Sequence, residues 1–386
     1  MIYEELLHHV FSKKSHHLRD SLELPLALAA ALGDPHTAFP SVHIVGTNGK
    51  GSVSTKIAKV LELSGLRVGL FTSPHLVCFR ERIVINGEKI PEERVFAILS
   101  DLLPIVEKLY PQASFFDLMT FLAFLYFREE KVDIAVVEAG IGGWLDTTNI
   151  ICPLLTVVTS IGHDHEAILG TTLEDIARHK AGAIKPKVPV VLGPSATQHK
   201  VILEQAHLCG SPVYPVHTQA PFYDEENQAV ALQAVQLLHF TLLDSATEAG
   251  LKVRPPCRFE VRGNVVLDVA HNPDGLQRLL DALDLHFPEC SFKVILGLSR
   301  DKDVRLFLKK LIQKASHIFL VQAATPRAAS VAEMATLLEQ EQYPHFTIRQ
   351  TIAEILPCNE LIVVCGTFYI MQEVREHIIR SEVGVE

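Results

Sequence analysis

Short, nearly uninterrupted Val/Ile/Leu runs alternate along this chain with stretches whose apolar residues fall at helical spacing. VHIV at 42–45 leads into a glycine-rich turn, and Val53, Ile57, Val60 and Leu61 then follow a helical period. RVGLFTS (67–73), IAVVEAG (134–140), LLTVVTS (154–160) and VPVVLG (188–193) repeat the apolar run, with amphipathic segments such as TLEDIARHKAGAIK between them. Strands that are apolar on both faces must be covered on both, which a largely parallel sheet flanked by helices achieves. The rhythm restarts after LKVRPPCRFE: VVLDVA (265–270), KVILGLS (293–299), HIFLVQ (317–322) and LIVVCGT (361–367) alternate with helical patterns over 274–286, 303–315, 330–342 and 368–379. A chain of 386 residues exceeds what one core usually serves. The pair Pro255–Pro256 favours an extended linker, so we expect two domains, 1–254 and 255–386.

Gly46-Thr47-Asn48-Gly49-Lys50-Gly51-Ser52 lies between the first expected strand and helix. Glycines let a backbone turn its N–H groups toward phosphate oxygens, and the following helix aims its positive end at them. Lys50 would add a point charge, and the Ser52 hydroxyl could reach Mg²⁺. Two residues separate Gly46 from Gly49, and Gly51 precedes Ser52, so the spacing departs from GxxxxGK[ST]. A plain Gly/Asn turn with a surface lysine is the bland reading, and the strand before and helix after favour nucleotide binding. The expected fold class is therefore α/β: an N-terminal P-loop ATPase-type domain with a mostly parallel sheet, and a smaller C-terminal Rossmann-like domain.

Net charge −10 argues against a general nucleic-acid binder, which needs clustered Lys and Arg. With 48% hydrophobic and 21% charged residues the chain reads as packed rather than disordered. The N-terminal segment lacks a secretory pattern, and FLAFLYF is cut short by Arg128, Glu129 and Glu130, so no membrane partner and a cytoplasmic location are expected. Seven scattered cysteines without a CxxC pair read as free thiols.

GTNGKGS resembles the ATP loop of the Mur ligase superfamily, and the form with the extra glycine resembles its folate branch. FTSPHL (71–76), RERIVINGEKI (80–90), VEAGIGGWLDTTN (137–149), TSIGHDH (159–165), HKAGAIKP (179–186), LDVAHNPDG (267–275) and CGTFYIMQEVR (365–375) follow in the order of that branch. The resemblance spans essentially the whole chain. It implies an ATP-dependent ligase that joins L-glutamate to dihydropteroate, to folates, or to both. In this expected reaction the ATP γ-phosphoryl group makes an acyl phosphate, and the glutamate amine then displaces phosphate.

The resemblance also implies roles for single residues. Gly46 to Ser52 would bind ATP, with Lys50 catalytic. Ser52, Ser73, Glu138 and His165 would hold Mg²⁺, although a hard cation prefers oxygen to a histidine nitrogen. Glu138 closes an apolar strand, where α/β sheets place ligands, and a structural ion pair is its alternative reading. His165 could equally be a loop residue held by Asp164. Lys180 would be carbamylated and help position the metal, whereas the residues alone read it as a solvated helix lysine. Asn227, Arg258 and Asp268 would contact the nucleotide, with Asp268 also catalytic. His271, also catalytic, and Thr367 would serve the incoming glutamate. Thr367 stands where relatives often carry serine. Arg82, Phe116, Asp117, Leu145, Asp146 and Thr147 would line the substrate pocket. Trp144 stands where the family often has arginine, and Ser114-Phe-Phe-Asp117 replaces Thr-x-Phe-Glu. Trp144 could stack on a pterin ring or fill a pocket wall.

A monovalent cation is a possible further cofactor, and a monomer is expected. A cell-wall Mur ligase fits less well, because those usually carry an added N-terminal domain and here the loop begins at Gly46. Activity on dihydropteroate alone or on folates alone is one competing reading. A P-loop ATPase or nucleotide-regulated binding module without ligase activity is another, and the second α/β domain with LDVAHNP argues against it.

Overall fold

The computed structural model describes residues 2–13, 19–300, 304–323, 325, 328–356 and 359–383. They fall into two compact units. The first comprises 1–162, 166–219 and 224–254; the second comprises 163–165, 220–223 and 255–386. The main division lies between Arg254 and Pro255. His163–His165 and Ala220–Tyr223 pack with the later residues, a grouping that a single linear boundary does not describe.

In the first unit the elements run α1 (Tyr3–Ser12), α2 (Glu23–Ala31), β1 (Ser41–Val45), α3 (Lys50–Leu63), β2 (Val68–Phe71), β3 (Ile83–Ile85) and β4 (Glu88–Lys89). Then come α4 (Glu92–Leu109), α5 (Phe115–Glu129), β5 (Ile134–Glu138), β6 (Leu155–Val158), α6 (Glu166–Leu169), α7 (Leu173–Ala181), β7 (Val190–Leu192), α8 (Lys200–Leu208) and β8 (Val213–Pro215). Helices α9 (Tyr223–Gln236) and α10 (Asp244–Leu251) complete it, apart from Tyr223 itself, which groups with the second unit. The strands form one sheet in the order β4-β3-β2-β5-β1-β6-β7-β8. Every pairing from β2 to β8 is parallel, and only the β2–β3 and β3–β4 pairs are antiparallel. The β3–β4 turn is Asn86–Gly87, both at positive φ, as a tight hairpin requires. Strand β4 is two exposed residues, and β8 at the opposite rim ends in a proline.

Side-chain alternation sorts the sheet's two faces. Ala135 and Val137 of β5 join the core under α4 and α5, while Ile134 and Val136 join the core under α3 and α9. Helix α5 is apolar all round and buried from Asp117 to Phe127, which suits an internal helix. Burial of each of its wholly enclosed phenylalanines, Phe121, Phe124 and Phe127, favours folding by roughly 2–3 kcal/mol. No helix among the described residues is long and apolar enough to cross a membrane.

The second unit carries β9 (Glu260–Arg262), β10 (Val265–Leu267), α11 (Pro273–His286), β11 (Phe292–Leu296), α12 (Val304–Leu311), β12 (Ala315–Val321), α13 (Val331–Gln340), β13 (Phe346–Arg349), β14 (Leu361–Cys365) and α14 (Met371–Val383). Its sheet order is β13-β12-β11-β14-β10-β9, parallel except for the β9–β10 hairpin. The expected helix starting at 303 begins at Val304 in the described residues, 303 itself lying outside them. Six cysteines are free thiols, and Cys358 lies outside the described residues.

Candidate active site

Strand β1 lies between β5 and β6, and its onward connection through α3 runs to β2, beyond β5. The carboxyl ends of β1, β5 and β6 therefore meet where the winding reverses, the place where open α/β sheets bind ligands. The turn after β1 is fixed from the β6 side. Thr47 N–H donates to Ser160 O at 2.8 Å, and Asn48 N–H donates to Ser160 Oγ at 2.9 Å. The Thr159 and Ser160 hydroxyls both donate to Asn48 O. Gly46 sits at φ 151°, and a Cβ there would lie 2.0 Å from Thr159 Oγ1. Gly49 sits at φ 84°, and a Cβ there would lie 2.4 Å from Asn227 Oδ1. Asn227, on α9, thus lies directly over the turn. Gly49 is the N-cap of α3, so no side chain caps the helix start from within. Lys50 follows, half-buried, its Nζ 3.2 Å from Thr47 O.

Glu138 ends β5 at 2% exposure, and its Oε2 accepts the Ser73 N–H at 3.0 Å. The same oxygen would lie 3.4 Å from a Cβ on Gly51, so the carboxylate faces the first turn of α3, where Ser52 is buried. Among the described residues no three His, Cys, Asp or Glu side chains gather into a metal cage. A cation here would draw on hydroxyls, phosphate and water besides one carboxylate, a donor set suited to Mg²⁺. His165 groups with the second unit at φ 52°, and its N–H donates to Asp164 Oδ1. Lys180, in the last turn of α7, is only 3% exposed and donates to Gly46 O at 2.8 Å. It is not the solvated lysine that its helix pattern allowed.

The expected pocket residues divide by what holds them. Asp117 is buried and accepts from Arg19 Nη2 at 2.6 Å, from Ser114 N at 2.7 Å, from Ser114 Oγ at 2.8 Å, from Tyr110 OH at 3.3 Å and from Thr147 Oγ1. Ser114 in turn caps α5 by accepting from Asp117 N–H, so Ser-Phe-Phe-Asp is a capping box as well as a pocket motif. Arg19 also donates to Thr147 Oγ1 at 2.8 Å, and sequence reasoning missed it, since nothing local marks it. Asp146 accepts from the N–H groups of Gly140, Ile141 and Thr148, each at 3.0 Å. Burial pushes its carboxyl above the ordinary range against those hydrogen bonds. Thr148 Oγ1 also meets His43 Nε2 at 2.9 Å, inside the sheet. Phe116 packs across Gly140, where a Cβ would lie 2.7 Å from its ring, and Leu145 is half-buried. Arg82 Nε donates to His75 Nδ1 at 2.9 Å, with its guanidinium 5.2 Å from the Phe115 ring centre. Trp144 is 53% exposed, while its backbone is pinned to His179 O and to Asn149 Nδ2.

In the second unit Asp268 is buried and accepts from Phe259 N and Ala270 N, both at 2.8 Å, and from Tyr223 OH. Burial raises its carboxyl, with the Tyr223 bond and Arg258 opposing. Cys257 and Phe259, on either side of Arg258, both have positive φ, which non-glycine residues adopt at a cost. Asp268 therefore pins a strained turn that presents Arg258, whose guanidinium lies 5.2 Å from the Phe368 ring centre. His271 sets Nδ1 at 2.8 Å from Val269 O, with Nε2 3.5 Å from Asp164 Oδ2. Thr367 is buried, its hydroxyl 3.4 Å from Ser299 Oγ.

The sequence profile described as "Mur ligase, glutamate ligase domain" matches residues 257–368. The dihydrofolate synthase/folylpolyglutamate synthase of Bacillus subtilis is 32% identical, covering 91% of this chain and 93% of its own. The chain belongs to the dihydrofolate synthase/folylpolyglutamate synthase family. It is an ATP-dependent ligase of the Mur type. Among solved structures, Escherichia coli FolC in complex with DHPP and ADP superposes with a TM-score of 0.89 at 25% identity over 98% of each chain. The bifunctional folylpolyglutamate synthase/dihydrofolate synthase of Yersinia pestis, complexed with AMPPNP and a Mn ion, gives 0.87 at 25% identity over 98% of each chain.

Proposed function

We propose that this member of the family joins L-glutamate to the carboxylate of dihydropteroate, and of folates, using ATP. The observation that carries the site assignment is the β1–α3 turn: two glycines at positive φ, an uncapped helix start, Lys50 beside it, and buried Glu138 facing it. A triphosphate would meet backbone N–H groups and the helix's positive end there. Lys50 would carry the charge that builds on the terminal phosphoryl group as it moves to the acceptor carboxylate. The amine of glutamate would then attack the acyl phosphate, and phosphate would leave from the tetrahedral intermediate with the C–O bond to it broken.

Ser52, Ser73 and Glu138 would hold Mg²⁺, which supplies charge neutralisation at the phosphoryl oxygens. His165 is the donor least suited to so hard a cation. Carbamylation of Lys180 is part of the proposal. A carbamate keeps one N–H for the Gly46 carbonyl and replaces a buried cation with an anion able to orient the metal's surroundings. Arg82, Phe116, Asp117, Leu145, Asp146 and Thr147 are assigned to the pteroate side. Asn227, Arg258 and Asp268 are assigned to the nucleotide, Asp268 by fixing the turn that carries Arg258. His271 and Thr367 are assigned to glutamate. A monomer in the cytoplasm, with a monovalent cation as a further cofactor, completes the reading.

Purified protein should form ADP only when ATP, Mg²⁺, glutamate and dihydropteroate or a folate are all present. ADP release at the same rate without acceptor or without glutamate would overturn the ligase assignment in favour of a simple ATPase.

A further inference from the structure

Lys56 lies on α3, on the second turn after the glycine-rich stretch, and its side chain is wholly buried. An ammonium has three N–H donors, and each has a partner here. Asp224 Oδ1 lies at 2.9 Å, Leu251 O at 2.8 Å and Val253 O at 2.8 Å. The carbonyls belong to the end of α10 and the residues just after it, and α10 itself presses onto α3 so closely that a Cβ on Gly250 would lie 2.6 Å from Val60 N. Asp224 Oδ2 accepts from Gln228 Nε2 at 3.1 Å and has Arg254 Nε at 3.9 Å. The network is closed, with every lysine proton placed. Losing one partner of such a pair leaves the other buried and uncompensated.

Asp224 stands three residues before Asn227, so the two share one face of α9. The end of that face reaches the turn, where the Asn227 amide fills the space a Gly49 side chain would occupy. The pair therefore fixes the helix that covers the turn to the helix that begins at the turn. Burying a lysine is costly, and apolar residues of like size would join α3 to α9 as firmly. What the ion pair adds is a defined register between the two helices.

We propose that Lys56 and Asp224 are positioning residues for nucleotide binding, holding α9 in the register that sets Asn227 over Gly49. This rests on the assignment of the β1–α3 turn to the triphosphate. It predicts an effect on nucleotide affinity that is transmitted only through Asn227.

The test is isothermal titration of Mg²⁺-ADP into the full-length protein and its variants, together with steady-state kinetics. Asp224→Asn should raise the Kd for ADP by about tenfold or more, the worth of one positioned polar contact. It should raise KM for ATP in parallel while leaving KM for glutamate unchanged. Asn227→Ala should do the same, and the double variant should add little to either, because both act on one contact. Should Asp224→Asn fail to fold, Asp224→Glu keeps the charge and lengthens the reach, and it should still weaken ADP binding. A folded Asp224 variant with wild-type ADP affinity, or effects that add fully with Asn227→Ala, would overturn the proposal. Absence of ADP binding by the wild-type protein would instead remove the nucleotide reading itself.

Discussion

Lys180 donates a hydrogen bond to the carbonyl oxygen of Gly46 at 2.8 Å from a position only 3% exposed. The last turn of α7 thus touches the first residue of the glycine-rich turn. Lys180→Ala should lower ligase turnover by about a hundredfold or more, the scale of removing one preorganised charge from a reaction centre. Small carboxylic acids should restore part of it, and native mass spectrometry under bicarbonate should find added CO₂ on the wild-type lysine. Undiminished turnover in the variant would exclude a catalytic part for Lys180.

Gly49→Ala places a methyl group at φ 84° and against Asn227 Oδ1. Left-handed backbone costs a non-glycine residue roughly 1–2 kcal/mol before the contact is counted. ADP affinity should fall by about tenfold or more, measured by titration, with secondary structure unchanged. Wild-type affinity would show that the turn does not close on phosphate.

Asp117→Ala strips a buried partner from Arg19, removes the carboxylate half of the α5 capping box and takes an acceptor from Thr147 and Tyr110. Loss of a buried ion-pair partner costs about 3–5 kcal/mol, so thermal unfolding should shift down by several degrees or more. Arg19→Met should reproduce part of that loss and raise KM for the pteroate or folate acceptor, but not for ATP. An unchanged acceptor KM in a folded Arg19 variant would reduce this cluster to a purely structural role.

His43 is enclosed in β1, and burial depresses its imidazole to about 3, with Lys185 adding to the effect. Unfolded histidine takes a proton near its ordinary value of about 6.5. Between those values the unfolded state binds the extra proton, so stability falls as pH drops through that window and is unaffected above it. The full contribution is roughly 5 kcal/mol at most. His43→Gln should be slightly less stable at pH 8 yet lose less stability between pH 6.5 and 3, as denaturant titrations at several pH values would reveal. Parallel curves for variant and wild type would refute this.

The α/β architecture was legible because it rests on local signals. Apolar runs such as IAVV and LTVV mark strands on their own, and GTNGKGS runs without a break from the end of β1 into the first turn of α3. The hairpin at Asn86–Gly87 was readable by the same logic, although its residues first drew attention only as part of a family motif. What sequence could not supply were pairs made by folding. Arg19 and Asp117 lie 98 residues apart, and Tyr223 and Asp268 lie 45 apart, so nothing near either partner announces the other. The burial of Lys180 was hidden for the same reason: an amphipathic pattern, which alone allowed a solvated lysine, gives the face of a helix but not whether a neighbouring turn covers its end. Asp117 was flagged as a pocket acid, while the cap it makes with Ser114 is a local feature that the substrate motif obscured.

The first unit's sheet offers little for another molecule to extend. At one margin the final ribbon is the pair Glu88–Lys89, too short and too charged to template an incoming backbone, and at the other Pro215 withholds an amide. Such margins oppose edge-to-edge pairing of sheets between molecules. The first unit's sheet should therefore not seed association between folded molecules, and its strands would become available for such pairing only on unfolding.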